Sequence, residues 1–284
     1  MSIRVLRSEA PEDNKQLVER ERSPGEDNAA WLQRVIRERK LDKGRKSSLL
    51  LLLGGTDPLS FRLRVAQSHV RNDLTPSAWS HVALLDAVQE PIADTRIYEV
   101  SLAPPHGFSR HGFAPYDNAV QEDRLTGYLD ASRFPNLALL SVPIPLDTIA
   151  KEENGKRSGT LDQVRKGRNT LDVPQMILRW LAYAWGVGVP GSPLAEGLGI
   201  PSAAVLEAAF AAADFDLTPG LESRSSCPEA IWQAARWWHQ YYERTSKGRI
   251  SGAFTATHDL LPEQRDEPPN PRSRAGGKKR GKPR

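Results

Sequence analysis

The chain has little of what cross-links or anchors a polypeptide. Its 284 residues include one cysteine, Cys227, and two methionines. A single thiol excludes an intramolecular disulfide and any zinc site built on several cysteines. Long apolar runs are also missing: Leu49 to Leu53 is far shorter than the roughly 20 residues that a membrane-spanning helix needs. Met1 to Ala10 carries charges where a signal peptide would need an apolar stretch, so the expectation is a cytoplasmic protein with no membrane partner. No internal repeat is visible, and Gly54 and Gly55 lack the Gly-Lys-Ser/Thr ending of a phosphate loop. The net charge is only +4, and Lys278, Lys279, Arg280, Lys282 and Arg284 concentrate it at the end of the chain. Nucleic acid is therefore not an expected partner, except through that basic tail.

What is present suits one sizeable domain with flexible ends. Residues 1–26 are charged and lack apolar periodicity, as in a disordered or extended arm. Asp27 or Asn28 then caps an amphipathic helix with Trp31, Leu32, Val35 and Ile36 on one side, which docks on the core or offers a groove-binding face to a protein partner. Ser48 to Leu53 reads as a buried strand, Pro58 to His69 as an imperfect helix, and Trp79 to Leu85 as a strand buried on both faces. Thr95 to Leu102 alternates apolar and polar residues with Glu99 mid-run, and Leu137 to Val142 is a further strand. From Leu146 the pattern is helical: Asp172 caps a helix through Met176, Ile177, Trp180, Leu181 and Trp185, and Pro201 opens another through Leu206 and Phe210. Residues 146–220 thus form a helical insertion within a domain spanning 27–247, and 248–284 reads as a disordered basic tail.

Chemistry-bearing residues are few. Pro228 tolerates a first helical turn, and Ile231, Ala234, Ala235 and Trp238 recur at helical spacing up to about Tyr242, so Cys227 sits at a helix N-terminus. The dipole and free N–H groups there stabilise a thiolate, which predicts a thiol below its usual value of about 8.5. A cysteine enzyme also needs an imidazole to take and return the proton and a polar group to orient that imidazole. His81 and Glu99 supply those types, with Asp86 and Asn118 as alternatives for the third position. His106 and His111 share one Gly- and Pro-rich loop without a third ligand nearby, and His239 follows two tryptophans on a helix surface, so neither a metal nor a cofactor is expected.

Three segments resemble the permuted papain-like superfamily, in particular the bacterial YiiX-like hydrolases and relatives of lecithin retinol acyltransferase. They are the Leu49 to Leu53 strand with its Gly54, Gly55 exit, the sequence Trp79, Ser80, His81, Val82, Ala83, and the helix start Ser226, Cys227, Pro228, Glu229. The resemblance spans roughly residues 46 to 243 and departs from the family at Pro228, which removes a backbone donor, and in the long insertion after Glu99. It implies an α+β permuted papain-like fold, a small antiparallel sheet packed against helices with an added helical segment. It also implies Cys227 as nucleophile, His81 as general base and Glu99 as its orienting group. The expected activity is that of a thiol-dependent hydrolase, a peptidase or amidase, or an acyltransferase acting on a peptide, amide or ester through a Cys227 thioester. The alternative is a non-catalytic module of the same fold that recruits protein or nucleic-acid partners through its charged termini.

Overall fold

A strand made of five consecutive leucines has no polar face to offer water, so it belongs in the middle of a sheet covered on both sides. The computed structural model, which describes residues 13–103, 118–167, 171–188 and 191–257, places it there. The strands in chain order are β1 (Leu17–Glu19), β2 (Ser48–Gly54), β3 (His81–Leu85), β4 (Arg96–Glu99), β5 (Gln121–Arg124), β6 (Asn136–Val142), the hairpin β7 (Lys151–Glu153) and β8 (Lys156–Ser158), and β9 (Ser251–Thr255). Seven of them form one sheet in the order β1-β9-β6-β2-β3-β4-β5, antiparallel except for the β1–β9 pair. Among the described residues the eight α-helices are α1 (Asn28–Arg39), α2 (Pro58–Ala66), α3 (Leu146–Ile149), α4 (Thr160–Lys166), α5 (Val173–Trp185), α6 (Pro201–Ala211), α7 (Pro228–Trp237) and α8 (His239–Arg244). The protein is thus a mixed α+β fold with a mostly antiparallel sheet.

Side chains alternate across a strand, and here the alternation sorts the apolar residues into two cores. Leu49, Leu51, Leu53, Ala83, Leu85 and Ile97 meet Trp31, Leu32 and Val35 of α1 on one face. Leu50, Leu52, Val82, Leu84 and Val100 meet residues of the later helices, among them Leu63, Trp180, Leu206 and Ile231, on the other. Asp27 caps α1 by accepting the N–H of Ala30, Asp57 caps α2 through Ser60, and Asp172 caps α5 through Gln175. Truncating any one of the central leucines to alanine costs about 2–5 kcal/mol at such positions.

The structure differs from the sequence reading at both ends and in the middle. The expected tail begins with a strand, β9, which pairs with β6 on one side and with β1 on the other. Gly252 and Ala253 carry too little apolar area to mark it in sequence. The segment from Leu146 is not purely helical, because the exposed β7–β8 hairpin interrupts it. The helix after Pro228 breaks at Trp238: Asn14 Nδ2 donates to the Ala235 carbonyl and Asn14 N–H to the Arg236 carbonyl, which occupies the acceptors that the next helical turn would use. The basic residues 278–284 lie outside the described residues. Among the described residues no helix is long and apolar enough to cross a membrane.

One buried charge makes the fold pH-sensitive. Glu207 on α6 is 2% exposed. Burial, followed by the nearby Asp216 charge, pushes its carboxyl up to about 7 from 4.5, against partial relief from the N–H groups of Leu217 and Thr218. The native state therefore holds a proton between about pH 4.5 and 7 that the unfolded chain releases, so this contribution is complete below that window and is lost as pH rises through it. Glu207→Gln has no proton to lose. Urea denaturation at about pH 8 is expected to find it about 1–3 kcal/mol more stable than wild type, with the difference gone near pH 4.5.

Candidate functional site

His81 is the first residue of β3 and pairs with Leu53, which puts its ring on the α1 face of the sheet. Glu99 ends β4, two residues beyond Ile97, and so lies on the same face. Antiparallel pairing of the two strands brings the side chains together: His81 Nε2 is 2.8 Å from Glu99 Oε2. The Tyr128 hydroxyl, 2.8 and 3.0 Å from the two carboxylate oxygens, donates to Glu99 as well. Its ring stacks on the imidazole at 5.8 Å between centroids and 19° between planes. Burial, reinforced by the Glu99 charge, holds the Tyr128 phenol well above its ordinary value, so it stays a donor. With Nε2–H directed to the carboxylate, Nδ1 is the ring nitrogen left to take a proton, and among the described residues it has no protein partner.

That imidazole opens onto a cavity of about 300 Å³. Its wall is largely apolar, with Leu59 and Leu63 from α2, Val100 and Leu102 beyond β4, Phe134, Ile200 and Trp185. Ser60, Ser80 and Ser101 add hydroxyls, and Asp57 and Arg133 add charges. The serines are engaged locally: Ser60 Oγ donates to Asp57, and Ser80 Oγ accepts from Gly55 N–H and lies 3.3 Å from the Leu53 carbonyl, to which it donates. Trp185, the last residue of α5, is 65% exposed and lines this cavity.

Two of the three expected site residues thus meet, and the third does not join them. Cys227 does cap α7, as the position of Pro228 requires. Its side chain, however, is buried with Trp79, Val82 and Leu84 on the face opposite to His81, and it is not among the cavity-lining residues. Among the described residues no hydrogen bond joins it to His81. Burial pushes its thiol up to about 12, and the neighbouring Glu229 charge adds to that. The expectation of a lowered thiol fails because a helix terminus is worth about 0.3–1 kcal/mol, less than the cost of ionising a sulfur that water cannot reach.

Close packing ties this helix start to its surroundings. The Ile200 N–H donates to the Ser226 carbonyl at 2.9 Å, and a Cβ on Gly199 would fall 2.1 Å from that same oxygen, so only glycine permits the approach. Glu229, buried in the first turn, accepts from Ser77 Oγ at 2.6 Å and pairs with Arg71, while its N–H donates to Gln67 Oε1. Gln67 in turn donates to the Trp79 carbonyl, two residues before His81. The α7 start and the lead-in to β3 are therefore one hydrogen-bonded unit.

The alternatives for the third position lie elsewhere. Asp86 is taken by Arg45, Arg96 and Tyr98, and Asn118 donates to the Val164 carbonyl. His106 and His111 fall outside the described residues, and His239 opens α8. Among the described residues no group of three His, Cys, Asp or Glu side chains could hold a metal ion. Tyr128 escaped the sequence reading because it sits in a single 3-10 turn with no periodicity to mark it. No protein-family model matches the chain, nor does any curated protein or solved structure.

The state of Cys227 is directly measurable. At about pH 8 iodoacetamide is expected to alkylate the native protein at least ~100-fold more slowly than the chain unfolded in guanidinium, because only the unfolded thiol has its ordinary value. Equal rates in the two states would contradict the burial and protonation described above.

Proposed function

We propose that the chain is a hydrolase of amide, isopeptide or ester bonds in which His81 is the general base. The observation that carries this reading is the Tyr128–Glu99–His81 array, which anchors one ring nitrogen at 2.8 Å and leaves the other without a protein partner on a ring that lines a cavity. His81 Nδ1 takes a proton from the attacking group as its oxygen or sulfur bonds to the carbonyl carbon. The imidazolium then returns that proton to the departing amine or alkoxide. Glu99 stabilises the imidazolium and fixes its orientation, and Tyr128 fixes Glu99.

Water in the cavity is the attacking group most readily within reach of His81, which makes a water-attack hydrolase the first reading. Attack by Cys227 through a thioester is the second, favoured by one observation: the carbonyl next to Cys227 holds Ile200, a cavity-wall residue. That route requires a rearrangement that brings the sulfur, packed on the opposite face of the sheet, to the imidazole, with the proton passing to His81 during attack rather than beforehand. The finer fold assignment, permuted papain-like, draws its support from chain order: a strand with His81, a neighbouring strand with Glu99, then a helix capped by Cys227. A cytoplasmic location rests on the single unpaired thiol.

Hydrolysis of p-nitrophenyl acetate tests both readings. His81→Ala is expected to lower the rate by about 10²–10⁴-fold. Tyr128→Phe, which loses a hydrogen bond to a charged group worth about 1.5 kcal/mol, is expected to lower it roughly tenfold. Intact-protein mass spectrometry after brief mixing separates the nucleophiles: an acetyl group on Cys227 identifies the thioester route, and its absence during His81-dependent turnover identifies water. An unchanged rate in His81→Ala would remove the hydrolase reading.

A further inference from the structure

The cavity carries a positive charge that no salt bridge neutralises among the described residues. Arg133 lines it and is exposed, and its guanidinium lies 5.5 Å from the centroid of the neighbouring Phe134 ring. Its backbone is fixed, because the Arg133 carbonyl accepts the Thr56 N–H at 3.0 Å. Among the described residues no carboxylate comes within ion-pair distance of this cation. Two acids are close in sequence or share the cavity, and both are held mainly by other donors, although Asp130 also feels the Arg133 charge and accepts its backbone N–H. Asp57 accepts from Ser60 N–H and Ser60 Oγ as the cap of α2, and Asp130 accepts from Ser132 N–H and Ser132 Oγ. The remaining wall, with Leu63, Leu102, Phe134, Trp185 and Ile200, is apolar.

We propose that Arg133 is a specificity-determining residue that selects substrates bearing an anionic group, a carboxylate or a phosphate, beside an apolar portion that the cavity wall covers. This rests on reading the same cavity as the hydrolytic site, and it names the class of compound admitted there. A planar guanidinium presents paired donors that match a carboxylate or phosphate edge, and Phe134 beneath it keeps that face turned to the ligand. The apolar wall gives the rest of the molecule a place out of water while His81 faces its carbonyl. A ligand with the apolar part alone would leave the cation solvated and gain nothing from it.

Calorimetric titration of the full chain with octanoate, octyl phosphate and octanol tests this without turnover. Wild type is expected to bind the better of the two anions about three- to tenfold more tightly than octanol, a preference that shrinks as salt is raised. Arg133→Gln, which keeps part of the apolar stem, is expected to lose the preference while binding octanol as before, and Arg133→Lys to keep part of it. Tighter binding of octyl phosphate assigns the anion as phosphate, and tighter binding of octanoate assigns it as carboxylate. Equal affinity of wild type for octanol and both anions, no measurable binding of any of them, or an equal loss for all three in Arg133→Gln would each overturn the proposal. Because binding is read directly, a failure of His81-dependent ester hydrolysis and a failure of anion selection remain separate results.

Discussion

Pairing of β2 with β3 and β6 places every leucine of the run on one of two faces, and residues of neighbouring strands inherit that sorting through the register. His81 opposes Leu53, so it faces α1. Val82 opposes Leu52, so it faces the later helices, and Cys227 is packed there with it. A shift of one residue in this register would exchange the two sets and bring the imidazole to the cysteine face. What opposes that shift is β3 rather than the leucines, which are equivalent on both faces: a slip would take His81 from Glu99 and turn its ring into the apolar core.

The same sorting explains how the site holds a charge out of water. Glu99 is 2% exposed, and an isolated carboxylate in such a place is costly. Here the carboxylate meets donors from His81 and Tyr128, so its acceptor capacity is used on the two groups that need orientation. Cys227 is the contrasting case. It has a helix N-terminus, yet its surroundings are Trp79, Ile231 and other apolar side chains, and burial outweighs the dipole. Two groups drawn from the same short list of reactive residue types therefore end in different states, one polarised and facing a cavity, the other neutral and packed.

Legibility in the sequence followed the strength of the local signal. The Leu49–Leu53 strand, the Asp27 and Asp172 helix starts and the Cys227 cap were readable because each is set within a few residues by apolar content or by a side chain accepting a backbone N–H. β1 and β9 were not, since three and five residues of modest apolarity become strands only when they find each other across the length of the chain. The break between α7 and α8 was invisible for a similar reason: the group that ends the helix is Asn14, more than 200 residues away in sequence. In the site, His81 and Glu99 were identifiable as an imidazole and a carboxylate on successive strands, whereas Tyr128 has no pattern around it and enters only through space.

Sequence by itself thus determined the element types, the α+β class, the presence of one thiol and the placement of that thiol at a helix mouth, because these depend on neighbours within a turn or two. Tertiary structure alone decided which reactive groups share a face, which carboxylate takes the imidazole, and whether water reaches the sulfur. Those outcomes depend on strand register and on what packs over each side chain, and both are set by residues far apart in the chain.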